Sequence, residues 1–137
     1  MTQITITSNI NTSTEKVWDC LTNPIHIVNW NFASDDWCCP SAYTDLKEGG
    51  VYKSRMEAKD GSVGFDFVCT INSIIPNKSL NLTMEDGRKW NIEFESFENY
   101  TKVTEVFDSE NENSEEMQRT GWQAILNNFK KYTESLD

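Results

Sequence analysis

The stretch from about residue 114 to 135 (SEEMQRTGWQAILNNFKKYTES) is the longest in the chain with an unbroken helical period, and it constrains everything before it. At about 100° per residue, Met117, Gly121, Trp122, Ile125, Leu126, Phe129 and Tyr132 fall on one half of the helix surface. Arg119, Gln123, Asn127, Lys130 and Lys131 fill the other half, and polar Gln118 is read with them, so one side is expected to dock and the other to stay wet. Asn113 is a candidate cap, Glu115 and Glu116 suit the positive end of the helix dipole, and Lys130 and Lys131 suit the negative end.

A helix with one apolar face needs a surface to lie on, and the preceding sequence supplies a sheet. Residues 3–10 alternate about Ile4 and Ile6 as a first strand. Thr12 to Glu15 has the spacing of a capping box ahead of Val17, Trp18, Cys20 and Leu21, which predicts a short helix; Asn23-Pro24 ends it and can open a second. Turns then recur at Glu48-Gly49-Gly50, Asp60-Gly61, Pro76-Asn77-Lys78, Asp86-Gly87 and Glu98-Asn99. Between them apolar residues alternate with polar ones: Tyr52 and Met56; Phe65, Phe67, Cys69 and Ile71; Leu80 and Leu82; Trp90, Ile92 and Phe94; Val103 and Phe107. Period two repeated across hairpins means an antiparallel sheet with one apolar face. The fold class is α+β: about seven strands in a curved sheet, two short helices after the first strand, and a long C-terminal helix. Such a sheet twists into a trough that one helix cannot fill, which predicts a cavity closed by the short helices and by the aromatic segment 30–45.

The 137 residues are read as one domain, residues 1–137. A net charge of −10 excludes nucleic acid and anionic membranes as expected partners, since both would repel it. No run of about 18 apolar residues and no leader pattern occurs, so the chain is expected to be cytoplasmic, without a membrane span. Cys20, Cys38, Cys39 and Cys69 are then expected to be reduced, and with His26 as the single histidine there is no spacing for a metal site. No cofactor is expected.

Glu105 is the sharpest candidate for chemistry. The alternation that buries Val103 and Phe107 turns its carboxylate to the same face, where poor solvation raises a carboxyl pKa and suits it to act as acid, base or ligand anchor. Asp66 lies on the phase opposite Phe65 and Phe67 and reads as solvent-facing. His26, near Trp30, is a candidate proton carrier at the cavity mouth. Gly49-Gly50 and Gly61 are turn residues and form no phosphate cradle, because none lies between a strand and a helix start.

Val17-Trp18, Pro24, Trp30, Asp45-Leu46 through Gly49-Gly50, Asp60-Gly61 and Gly64-Phe65-Asp66-Phe67 form one set of matching stretches. Asp86-Gly87-Arg88, Glu105 with Phe107-Asp108, and Gly121 through Leu126 with Phe129 through Tyr132 complete it. On these residues the chain resembles the START-like (SRPBCC, Bet v 1-like) helix-grip superfamily, and within it proteins similar to the C-terminal domain of the activator of the Hsp90 ATPase. The resemblance implies an apolar ligand held between helix and sheet and a possible chaperone partner. It supplies no shared catalytic set.

The leading expectation is therefore a binder of a small apolar or aromatic molecule. The expected lining is Trp30, Trp37, Tyr52, Met56, Phe65, Phe67, Trp90, Phe94, Glu105, Met117, Trp122 and Leu126. The alternatives are a co-chaperone-like interaction module, and an enzyme using Glu105 as general acid or base in the same cavity.

Overall fold

Seven strands form one antiparallel sheet in a computed structural model that describes residues 2–136. In chain order they are β1 (Gln3–Ile10), β2 (Trp37–Thr44), β3 (Val51–Ala58), β4 (Gly64–Ile75), β5 (Ser79–Met84), β6 (Lys89–Ser96) and β7 (Thr101–Asp108). Helices α1 (Thr14–Thr22) and α2 (Pro24–Ile27) follow β1, and α3 (Glu115–Glu134) closes the chain. The sheet order is β1-β7-β6-β5-β4-β3-β2, so successive hairpins run from β2 to β7 and β1 joins the far edge. The period-two alternation emerges as burial: β7 alternates buried and half-buried residues throughout, and β3 buries Tyr52, Ser54 and Met56. This buried face carries the core, with Ile4, Ile71, Leu82, Ile92 and Phe107 facing the helical layer of Val17, Leu21, Leu126 and Phe129. The turns are tight where the glycines predict them. A Cβ on Gly50 would sit 1.9 Å from the Asp45 carbonyl oxygen, so no other residue fits there.

Local chemistry differs from expectation at the starts of α1 and α3. Ser13, not Thr12, caps α1, its Oγ accepting from the Lys16 N–H at 3.3 Å, while the Thr12 carbonyl accepts from the Thr101 hydroxyl at 3.0 Å. Ser114, not Asn113, caps α3, with its Oγ accepting from the Met117 N–H at 3.1 Å. Gln118, expected on the wet face, is buried. Its amide donates to the Glu110 and Asn113 carbonyls and its oxygen accepts from the Glu110 N–H, which pins the acidic loop 109–113 to α3.

The polar side of α3 does more than face solvent. Arg119, Gln123 and Lys130 donate to the carbonyls of Thr5, Thr7 and Asn9, alternate residues of the edge strand β1. An open edge is thereby occupied by side chains of the chain itself. At the other edge, residues 37–44 form strand β2 rather than an irregular cover. A register shift between Cys38 and Ser41 breaks its alternation, which is why it shows no period in the sequence.

Candidate functional site

Between α3 and the concave face of the sheet lies a cavity of about 250 Å³. Its walls come from α1 (Leu21), the connection after α2 (Trp30, Asn31), β3 (Met56), β4 (Phe65, Phe67), β6 (Trp90), β7 (Glu105) and α3 (Trp122, Ile125, Leu126, Phe129), with Arg88 from the β5–β6 turn. The rings brace one another. Trp90 meets Trp122 edge-on at 5.4 Å between centroids, Phe67 lies 5.7 Å from Trp90 and 6.3 Å from Trp122, and Trp122 stacks on Phe107 at 3.9 Å. Edge-to-face and offset contacts of this kind fix ring orientation. The polar atoms of several wall residues are turned to the protein: Trp30 Nε1–H donates to the Cys20 carbonyl at 2.8 Å, and Asn31 Nδ2–H donates to Ser54 Oγ at 3.0 Å.

Glu105 is the exception. Its neighbours across the ladder are Ile6 on β1 and Ile92 on β6, so the side chain enters an apolar setting and is only 6% exposed. Trp90 Nε1–H donates to its Oε1 at 2.8 Å, and the second carboxylate oxygen has no hydrogen-bond partner among the described residues. Burial lifts its pKa from 4.5 to about 7, against the smaller opposing pull of the Trp90 hydrogen bond. The same burial, with the Glu105 charge beside it, pushes the Tyr52 phenol well above its ordinary value; the phenol donates to the Leu21 carbonyl at 2.6 Å. Arg88 makes no ion pair with Glu105. Its Nε donates to Asp86 Oδ2 at 2.8 Å and its Nη1 to the Asp108 carbonyl at 3.3 Å.

Of the residues expected to line the cavity, Trp30, Met56, Phe65, Phe67, Trp90, Glu105, Trp122 and Leu126 do so, and four do not. Tyr52 stands behind the wall, edge-on to Trp90 at 5.7 Å and fully buried. Phe94 shares a strand face with Trp90 but lies about 13 Å further along at about 3.3 Å per residue, where it packs on Trp18. Met117 is 64% exposed, because it stands about 140° round α3 from Trp122, at the border of the apolar half. Trp37 packs edge-on against Phe65 at 6.2 Å but does not reach the cavity.

Leu21, Asn31, Arg88, Ile125 and Phe129 line the cavity without having been expected there. Ile125 and Phe129 lie on the apolar helix face and Arg88 follows a turn signal, whereas Asn31 carries no signal at all. His26 is not a cavity residue: its ring joins Asp19 Oδ2 at 3.1 Å and the Tyr132 hydroxyl at 2.7 Å, clasping α1, α2 and α3 together. Asp66 is exposed and pairs with Arg55 at 3.6 Å. All four cysteines are free, and no group of three metal-ligating side chains occurs among the described residues.

An antiparallel sheet gripping a long C-terminal helix over a cavity is the START-like helix-grip architecture. The chain belongs to the family described as Activator of Hsp90 ATPase homolog 1-like protein, whose family model matches residues 11–134. The solution NMR structure of the AHSA1-like protein from Aeromonas hydrophila is similar at 40% identity and a TM-score of 0.92, covering 98% of this chain and 93% of that one. Chr148 from Cytophaga hutchinsonii is similar at 43% identity and a TM-score of 0.84, covering 97% and 92%. The Aha1 dimer from Colwellia psychrerythraea shares the fold at 21% identity and a TM-score of 0.74, covering 98% and 97%. Comparison with curated proteins gives no match.

Proposed function

We propose that this protein binds a small apolar or aromatic molecule in the cavity under α3, as a carrier, sensor or sequestering protein. The observation that carries the reading is the composition of the cavity: about 250 Å³ walled by aromatic and aliphatic side chains, with one buried carboxylate that has an oxygen unpartnered among the described residues. An apolar cavity of about 150 Å³ accommodates benzene, so the space suits a molecule of about ten non-hydrogen atoms. Few polar groups among apolar walls is the usual make-up of a ligand site. Family membership supports a second reading, a co-chaperone-like module that docks on a chaperone. A cytoplasmic location fits the four free cysteines, and no helix among the described residues is long and apolar enough to cross a membrane.

Native mass spectrometry of protein purified gently from the cells that make it tests the reading. A discrete small added mass that disappears on denaturation, and that is lost in Trp122→Ala, is the expected result. A clean apo mass, with no small molecule raising the melting temperature, would move the function to the protein-interaction surface.

A further inference from the structure

Resting on the cavity as a binding site, we propose that its preferred occupants are small aromatic or apolar amines, bound as ammonium ions between Glu105 and the surrounding ring faces. Glu105 is buried, and among the described residues its only hydrogen bond is from the neutral indole of Trp90, so that its other oxygen has no partner there. Among the described residues no Lys or Arg forms an ion pair with it. A buried carboxylate in this state lacks the cation that would offset its desolvation, and a ligand can bring that cation. Arg88 lines the same cavity, but its charge is answered by the Asp86 carboxylate and the Asp108 carbonyl, so it is not the feature a ligand must complete.

The rings supply the second half of the site. Trp90, Trp122 and Phe67 all line the cavity and stand nearly perpendicular to, or tilted against, one another, so their faces point in different directions, one face of Trp122 being covered by Phe107. Ring faces attract a cation through the quadrupole, most strongly for tryptophan and in a desolvated site. An alkylamine titrates at about 10, as a lysine side chain does, and so arrives as ammonium at neutral pH. The net charge of −10 favours its approach. The amine and a short apolar body together match a volume with room for about ten non-hydrogen atoms.

Four probes of matched size separate the chemistry: 2-phenylethylamine, 2-phenylethanol, propylbenzene and phenylacetate, each titrated at pH 8 against the wild type and Glu105→Gln. The amine is expected to bind the wild type tighter than the alcohol or the hydrocarbon by at least about tenfold, since a charge-assisted hydrogen bond and ring contacts act together in a dry site. Phenylacetate is expected to bind weakest. Glu105→Gln should bring the amine down to the level of the alcohol while leaving propylbenzene within about twofold. Should the variant fail to fold, the ranking of the four probes on the wild type decides. Propylbenzene binding with no preference for the amine would overturn the amine proposal and leave the cavity a binding site. Saturation by none of the four would overturn both.

Discussion

Removing the charge of Glu105 while keeping its shape tests how the site is built. In Glu105→Gln the amide oxygen still accepts from Trp90 Nε1–H, so packing and hydrogen bonding are retained and titration is lost. In the folded wild type burial holds this carboxyl up at about 7, whereas its ordinary value is 4.5. Below pH 4.5 both folded and unfolded chains carry the proton. Between 4.5 and about 7 the unfolded chain releases it and the folded chain keeps it, so stability falls as the pH rises, by about 1.4 kcal/mol per pH unit. Above about 7 both are ionised and the loss is complete, at about 3 kcal/mol. Glu110 and Glu134, whose pKa values are lowered by their hydrogen bonds, lose stability in the opposite direction as the pH falls; they are common to both proteins and cancel in the difference. Urea unfolding followed by tryptophan fluorescence from pH 4 to 9 gives that difference. The variant should gain on the wild type by about 3 kcal/mol across the window and stay level above it. A difference that stays flat from pH 4 to 9 would refute the claim that Glu105 is buried without a compensating charge.

Three further outcomes follow from individual contacts. Ser114→Ala should destabilise by about 1 kcal/mol in thermal or urea unfolding, and Asn113→Ala by clearly less, because the cap of α3 is the serine. Tyr52→Phe should cost about 1–2 kcal/mol, since it removes the hydrogen bond of a fully buried phenol and leaves the Leu21 carbonyl without that donor. Arg119→Ala combined with Gln123→Ala should promote self-association, visible in sedimentation velocity, because the carbonyls of Thr5 and Thr7 on the β1 edge lose their donors.

Where local pattern decides the structure, the sequence showed it. The period of α3, the alternation along β3 to β7 and the turns at Gly49-Gly50, Asp60-Gly61 and Asp86-Gly87 each depend on near neighbours, and each element stands where its pattern placed it. Glu105 is buried for the same reason, as the middle residue of Val103, Glu105 and Phe107 on one strand face. The misplaced residues depend on position within an element. Phe94 has the same phase as Trp90 but lies beyond the end of the cavity, which period alone cannot measure, whereas Met117 stands about 140° round the helix from Trp122, at the border of the apolar half, and turns to solvent. Asn31 enters the lining through its buried bond to Ser54, a contact between distant segments. Asn113 and Ser114 are adjacent residues of equal capping ability, so the choice between them falls to the path of the preceding chain, whereas at α1 the better cap, Ser13, prevails over the Thr12 that the box spacing picked out.

The central claim is that the space under α3 receives a small apolar molecule, and the five tryptophans let it be tested residue by residue. Trp30, Trp90 and Trp122 line the cavity, while Trp18 and Trp37 stand outside it and serve as internal controls. A titration with propylbenzene, followed by the indole N–H resonances in a proton–nitrogen correlation spectrum, reads all five at once. Saturable shifts of Trp30, Trp90 and Trp122, with Trp18 and Trp37 unmoved, are the predicted result. No saturable shift up to the solubility of the probe, or shifts confined to Trp18 and Trp37, would contradict it.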